Sequence, residues 1–303
     1  MLIWVPLQPV AYSVAELDGV RVEVVTPDGG ALPASAADVE FYVPPFFPGV
    51  EAVTAMAQMP RLKVVQTLTA GFDRVRPHVP EGAVLCNARG VHDASTAEWV
   101  LAAILAAIRQ FRYFAAEQAA GRWSYRSTDC LAGKTVLIIG YGSIGKAVER
   151  RLDGFDVQVV RVARSARPGV SPVTDLPRLL HEADVVILVA PVTSETMGMA
   201  NSSFLATMKD GALLVNAARG SLVVTADLVA EVSSGRLHAA LDVTDPEPLP
   251  AGHPLWSLPN VLITPHVGAS TPVSWQAAVS FVRAQAERYI AGQPLANVIT
   301  GDY

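Results

Sequence analysis

Cysteine is almost missing from this chain of 303 residues, which carries only Cys86 and Cys130. That scarcity excludes a disulfide framework and points to a reducing compartment, with both thiols expected to be inert and buried. Charge is sparse as well, at 17% of residues, and the net value of −5 leaves no basic surface for nucleic acid. Long apolar runs are lacking. The opening MLIWVPLQPV has no basic flank and is too short for a signal peptide. The most apolar helical stretch, Trp99 to Ile108, is bounded by Glu98 and Arg109 and falls short of the roughly twenty residues that a membrane span needs. A cytoplasmic protein without membrane or nucleic-acid partners is expected. No short repeat, low-complexity linker or metal-ligand cluster stands out.

What the chain does have is hydrophobic material, 51% of its residues, enough to fill two cores. Short β-branched runs bounded by Gly, Pro or Asp alternate with helical stretches: 2–7, 20–27, 39–45, 62–69 and 83–88 come first. A long helix follows, capped at Ser95 or Thr96 and running to Gly121. A second set of strands, 135–140, 157–163, 184–190, 212–218, 237–243 and 260–265, is continuously apolar, as strands of a buried parallel sheet must be. A terminal helix, Val273 to Ala291, begins after Pro272, and the tail behind it can return to the first set of strands. The pattern predicts an α/β protein with a discontinuous first domain.

Val136 to Leu152, VLIIGYGSIGKAVERRL, is the most informative segment. It reads as a buried strand, a glycine turn and a helix whose apolar face carries Ile144, Ala147, Val148 and Leu152. Gly140 permits the tight turn, Gly142 lets the backbone approach a pyrophosphate, and Gly145 lets helix and strand pack closely, while the helix start offers N–H groups to the anion. Tyr141, Ser143 and Ile144 complete this cofactor turn. The following strand, VQVVRVA, ends in Ala163, Arg164, Ser165, Ala166 and Arg167, with no carboxylate to accept bonds from a ribose 2′-hydroxyl. A small residue followed by Arg164, Ser165 and Arg167 suits a 2′-phosphate, so NADP(H) is favoured, with NAD(H) as the alternative.

Three later strand ends carry ionisable groups: Arg219 after LLVNAA, Glu247 after LDVTDP and His266 after LITP. Together they supply what reduction of a 2-oxo acid requires. A guanidinium binds the carboxylate and polarises the carbonyl, an imidazolium donates a proton to the developing alkoxide, and a carboxylate orients that imidazole and favours its charged form.

The words around these residues, GYGSIG (140–145), APVTSET (190–196), NAARG (216–220), LDVTDPEPLP (241–250), HPLW (253–256) and TPHVGAS (264–270), resemble the D-isomer-specific 2-hydroxyacid dehydrogenases, most closely their glyoxylate and hydroxypyruvate reductase branch. The resemblance implies two Rossmann-like doubly wound domains, a flavodoxin-like substrate domain (1–96 and 279–303) and a dinucleotide-binding domain (97–278), with the cleft between them. It implies Arg219, Glu247 and His266 as catalytic residues, a substrate-binding loop at Leu68, Thr69, Ala70 and Gly71, and a nicotinamide carboxamide held by Asp242. Ala190, Pro191, Thr196, Ala217, His266 and Gly268 would line the cofactor site, and a homodimer would form through the coenzyme domains. The apolar girth of the helix from Ala97 agrees with that dimer. Phe46 and Phe47 could wall the substrate side chain and favour bulkier 2-oxo acids, whereas Trp123 is expected at a domain or dimer surface. The chain departs from the family after LTAGFD, where FDRVR stands in place of a second Asp. Glu247 argues against the formate dehydrogenase branch, which pairs its histidine with Gln. Two further readings are a corepressor-like dinucleotide sensor and a phosphite dehydrogenase-like enzyme.

Overall fold

The computed structural model describes residues 1–301. Among them, twelve strands form two all-parallel sheets, and the chain divides into two units, Met1–His92 with the segment from Pro272 onward, and Asp93–Thr271.

In the first unit β1 (Leu2–Val5), β2 (Arg21–Val24), β3 (Val39–Tyr42), β4 (Val64–Gln66) and β5 (Val84–Cys86) are ordered β2-β1-β3-β4-β5. This is the flavodoxin-like order. Alternate residues serve opposite faces, as a period of two dictates: Leu2 and Trp4 enter one core, Ile3 and Val5 the other. The helix Pro272–Ile290 lays Ala278, Val282 and Ala286 into the second of these cores, a stripe spaced by single helical turns. Behind that helix the chain pairs with the sheet again, where the Ile299 N–H donates to the Leu85 carbonyl at 2.9 Å.

The second unit contains β6 (Thr135–Ile139), β7 (Gln158–Ala163), β8 (Ser171–Pro172), β9 (Val185–Leu188), β10 (Leu213–Asn216), β11 (His238–Leu241) and β12 (Val261–Ile263). Their order is β12-β11-β10-β9-β6-β7-β8, so the topological switch point lies between β6 and β9. Leu137, Ile139, Val186, Leu188 and Leu214 pack on one face, and Val136, Ile138, Val185, Ile187 and Val215 on the other. Two buried faces explain why β6, β9 and β10 read as apolar runs, whereas β7, expected to be continuously apolar, is only partly buried and carries Gln158 and Arg161.

Several sequence expectations are corrected. The helix expected from Ser95 or Thr96 to Gly121 starts at Asp93 and is two helices, Asp93–Ile108 and Phe111–Ala119, bent by 67°. Gln110 between them has φ of 53°, a left-handed conformation that an α-helix cannot contain. Arg112 then ties the second helix to the carbonyls of Trp256, Leu258 and Val261. Periodicity shows nothing of such a break, because both pieces are helical. The unit boundaries fall at 92/93 and 271/272 rather than 96/97 and 278/279, since each flanking helix belongs entire to one unit. Cys86 is buried, but Cys130 is exposed, at the end of an irregular segment, and is not the buried thiol expected. No single helix among the described residues is long and apolar enough to cross a membrane.

Candidate active site

Parallel strands in register bring all their C-terminal ends to one edge of the sheet. At that edge of the second unit lie the glycine turn after β6, the Ala163–Arg167 segment after β7, Ala190 after β9, and Arg219, Glu247 and His266 after β10, β11 and β12.

Two of the three glycines of the turn answer a steric demand, and the third faces open space. Gly140 has φ of 102°, and a Cβ there would lie 2.4 Å from the Ala190 backbone nitrogen, so glycine alone lets the turn and the end of β9 touch. A Cβ on Gly145 would meet the Gly140 carbonyl oxygen at 2.7 Å. At Gly142 it would meet nothing within 4 Å. The mouth of the turn is therefore open just where the helix Ser143–Leu152 begins, and its donor set fits the pyrophosphate of a dinucleotide. Thr196 folds the neighbouring loop back: its hydroxyl donates to the Pro191 carbonyl at 2.7 Å and accepts from the Thr193 N–H at 2.8 Å. Ala217, whose N–H donates to the Leu188 carbonyl, continues the edge. Arg164, Ser165 and Arg167 are exposed, and Ala163 is half-buried.

His266 and Glu247 are brought into direct contact, Nδ1 to Oε1, at 2.7 Å. With a carboxylate as acceptor, Nδ1 is the donor, which leaves proton exchange to Nε2. Both side chains are about three-quarters buried, at 23% and 27% exposure, so the pair is shielded yet reachable. His266 sits at φ of 54°, a backbone strain of about 1–3 kcal/mol that its surroundings must sustain. They do so through Asp242. Its carbonyl accepts the His266 N–H at 2.7 Å, and its carboxylate accepts from the Thr264 hydroxyl, the Val267 N–H and the Gly268 N–H at 2.6, 2.8 and 2.7 Å. Trp99 Nε1 donates to Thr264 at 3.0 Å, so the helix Asp93–Ile108 braces the same loop. A Cβ on Gly268 would come within 2.8 Å of the Asp242 carboxylate.

Arg219 is set by Asn216, the buried last residue of β10, whose amide donates to the Arg219 carbonyl at 2.8 Å and whose side-chain oxygen accepts the Ala218 N–H at 3.1 Å. Gly220 follows at once. A Cβ there would lie 2.0 Å from the Thr244 carbonyl carbon, so the strand end bearing Arg219 touches the segment leading to Glu247. Both the Asp245–Pro246 and Glu247–Pro248 bonds in that segment are cis.

In the first unit, the loop after β4 is built from backbone. The Leu68 carbonyl meets His92 Nε2 at 2.6 Å, that of Thr69 accepts the Ala88 N–H at 2.9 Å, and that of Ala70 accepts Asn87 Nδ2 at 2.7 Å. Because a peptide N–H points opposite to the preceding carbonyl, anchoring these three turns the N–H groups of Thr69, Ala70 and Gly71 to the other side, as an anion-binding nest does. Phe46 packs edge-on against His92 and Phe47, at ring separations of 5.5 and 4.9 Å, and tilted against Trp275 at 5.2 Å. Trp123 is fully exposed.

Sequence reasoning missed the bracing side chains: Trp99 and Thr264 behind the His266 loop, Asn216 behind Arg219, and Asn87 and His92 behind the first-unit loop. The signal was there for Asn216 and Asn87, polar residues placed at the inner ends of apolar strands, where burial demands partners. Among the described residues no group of three or more His, Cys, Asp or Glu is placed to hold a metal ion.

Comparison with known proteins agrees with this architecture. Residues 101–268 match the NAD binding domain of the D-isomer specific 2-hydroxyacid dehydrogenases. A glyoxylate reductase from Thermofilum pendens is 35% identical over 233 residues, which cover 71% of this chain and 68% of that protein. Among solved structures, a D-isomer specific 2-hydroxyacid dehydrogenase from Xanthobacter autotrophicus, in complex with NADPH and MES, superposes with a TM-score of 0.85 at 28% identity, covering 99% of this chain and 97% of the other. An NADPH-dependent glyoxylate/hydroxypyruvate reductase from Sinorhizobium meliloti, in complex with NADP and sulfate, gives a TM-score of 0.84 at 28% identity, covering 98% and 97%. The chain belongs to the D-isomer specific 2-hydroxyacid dehydrogenase family. It is an NAD(P)-dependent oxidoreductase acting on the CH–OH group of 2-hydroxy acids.

Proposed function

We propose that this enzyme reduces small 2-oxo acids, glyoxylate, hydroxypyruvate or a bulkier relative, with NADP(H) preferred over NAD(H). The observation that carries the proposal is the 2.7 Å pair of His266 and Glu247 at the edge of a dinucleotide-binding sheet. When bound at the glycine turn, reduced nicotinamide dinucleotide would supply the hydride. Nε2 of His266 gives its proton to the oxygen that becomes a hydroxyl, and Glu247, holding Nδ1, fixes the orientation of the ring and the identity of its exchanging nitrogen. Arg219 pairs with the substrate carboxylate and polarises the carbonyl beside it. The N–H groups of Thr69, Ala70 and Gly71 are proposed to take a substrate carboxylate, and the Phe46 ring, seated on His92, to meet the substrate side chain. Asp242 spends three acceptor positions on its own loop, and a carboxylate has about four, which is compatible with one bond to a carboxamide.

Arg164 and Ser165, exposed where an NAD site would carry an acid, support a 2′-phosphate contact. A homodimer is proposed through the second unit, where Phe111, Trp123 and Tyr125 are 59%, 100% and 90% exposed in one stretch of chain. A cytoplasmic location accords with the sparse cysteines. The test is to mix purified protein with NADPH or NADH and a panel of 2-oxo acids and follow loss of reduced nicotinamide absorbance. Turnover with NADPH and glyoxylate or hydroxypyruvate is expected, and no turnover with any 2-oxo acid overturns the proposal.

A further inference from the structure

Beside the cofactor turn lies a network that the catalytic scheme does not use. Tyr141, the second residue of the turn, points its hydroxyl at Glu149, two helical turns on, and donates to Oε2. The other oxygen of Glu149 accepts from Arg161 on β7, Nε to Oε1 at 2.8 Å, with Nη2 donating as well. The guanidinium of Arg161 stands 5.7 Å from the Tyr141 ring centroid and that of Arg167 stands 5.8 Å from it, both within reach of the ring's π-electrons. Arg167 also donates from Nη2 to the Tyr141 carbonyl. Its backbone is fixed independently, because Arg167 and Val170 exchange N–H···O bonds of 3.1 and 2.8 Å across a Pro168–Gly169 turn in which Gly169 has φ of 73°. Arg161 holds the Glu149 carboxyl below the usual carboxylate range, and burial and then Glu149 push the Tyr141 phenol up, so at neutral pH an ionised Glu149 faces a protonated phenol.

An exposed arginine in a loop samples many rotamers and contributes little to affinity, because ordering it costs entropy. Arg167 is ordered before any ligand arrives. Its Cα is held by the turn, its head group by the Tyr141 ring and carbonyl, and Tyr141 in turn by Glu149 and Arg161. A guanidinium has five N–H donors and spends one on the Tyr141 carbonyl, so it retains a face for a phosphate.

We propose that Tyr141 is the specificity-positioning residue for the cofactor's 2′-phosphate: clamped by Glu149 and Arg161, it presents Arg167 beside Arg164 and Ser165. The inference rests on the NADP(H) preference proposed above. It adds that selectivity is built from the glycine turn and its helix as well as from the end of β7.

The test measures binding of 2′,5′-ADP and of AMP to the intact protein by calorimetry, probes that differ by the 2′-phosphate and need no turnover. Tyr141→Leu is expected to weaken 2′,5′-ADP about tenfold and to change AMP by less than about twofold, since one charge-assisted contact is at stake. Tyr141→Phe keeps the ring under Arg167 and is expected to lose only about threefold. It also serves as the conservative variant should Tyr141→Leu fold poorly. Arg167→Ala should match Tyr141→Leu, and the double variant should lose no more than Arg167→Ala alone, because the two act as one unit. Equal weakening of both probes by Tyr141→Leu would mean that Tyr141 merely supports the turn, and an unchanged ratio would mean that it has no part in selectivity; either overturns the inference. Arg164→Ala separates the two levels. If it also leaves the ratio of 2′,5′-ADP to AMP affinity unchanged, the NADP(H) proposal falls; if it lowers the ratio while Tyr141→Leu does not, only the role of Tyr141 falls.

Discussion

In the first unit the loop at Leu68–Gly71 offers backbone N–H groups, aimed by carbonyls that His92, Ala88 and Asn87 hold in place. In the second unit the ends of β10, β11 and β12 offer side chains, Arg219, Glu247 and His266, aimed by Asn216, Asp242 and each other. A backbone site needs only a shape, which many sequences can make. A side-chain site needs particular residue types, and removing one removes its chemistry outright. The two units should therefore answer substitution differently.

The largest effect is expected at His266. His266→Ala should lower kcat by about 10²–10⁴-fold and leave KM for the 2-oxo acid within a few-fold, because the proton donor matters in the transition state more than in binding. Steady-state kinetics in both variables checks this. Glu247→Gln keeps a hydrogen-bond acceptor for Nδ1 but loses the negative charge, so a smaller fall in kcat is expected from the same assay.

Arg219→Ala comes next, with KM raised sharply and kcat lowered, together about 10²-fold or more in kcat/KM. Arg219→Lys should recover little, since an ammonium cannot make the paired contact of a planar guanidinium. Full recovery by lysine would show that charge alone is being read there.

A smaller effect tests the first unit. Asn87→Ala removes the amide that donates to the half-buried Ala70 carbonyl at 2.7 Å, a loss of about 0.5–1.5 kcal/mol. We expect KM to rise by roughly tenfold with kcat within about twofold. If kcat fell as it does for His266→Ala, the division between a site built of shape and one built of side-chain chemistry would break down.

The smallest effect concerns stability. His238, on β11, has its pKa lowered from 6.5 by burial. The unfolded chain then takes up the proton first as pH falls, so the contribution of His238 is intact above pH 6.5 and is lost as pH falls from there toward the folded value. Urea midpoints at neutral and mildly acid pH should differ less in His238→Gln than in the parent chain.

The same contrast explains what could be read in advance. Eleven of the twelve strands among the described residues are visible as short β-branched or apolar runs, and the missing one, β8, has only two residues, Ser171 and Pro172, too few to show a pattern. The glycine turn was legible because Gly140 and Gly145 answer steric demands, and the placing of Arg219, Glu247 and His266 at one edge was legible because each is an ionisable residue beyond the end of an apolar strand. The bracing contacts were not. Trp99 and Thr264 are 165 residues apart, and no local rule pairs them. The break at Gln110 was hidden for a related reason, since what bends the helix there is a single left-handed residue and a guanidinium that finds its carbonyls about 145 residues away.

Gly220 has a bearing on how such an enzyme can change. Because its missing Cβ lets the chain beside Arg219 touch the chain leading to Glu247, any larger residue there displaces the neighbourhoods of both side chains in one step. In a library randomised across this edge, position 220 should return glycine alone.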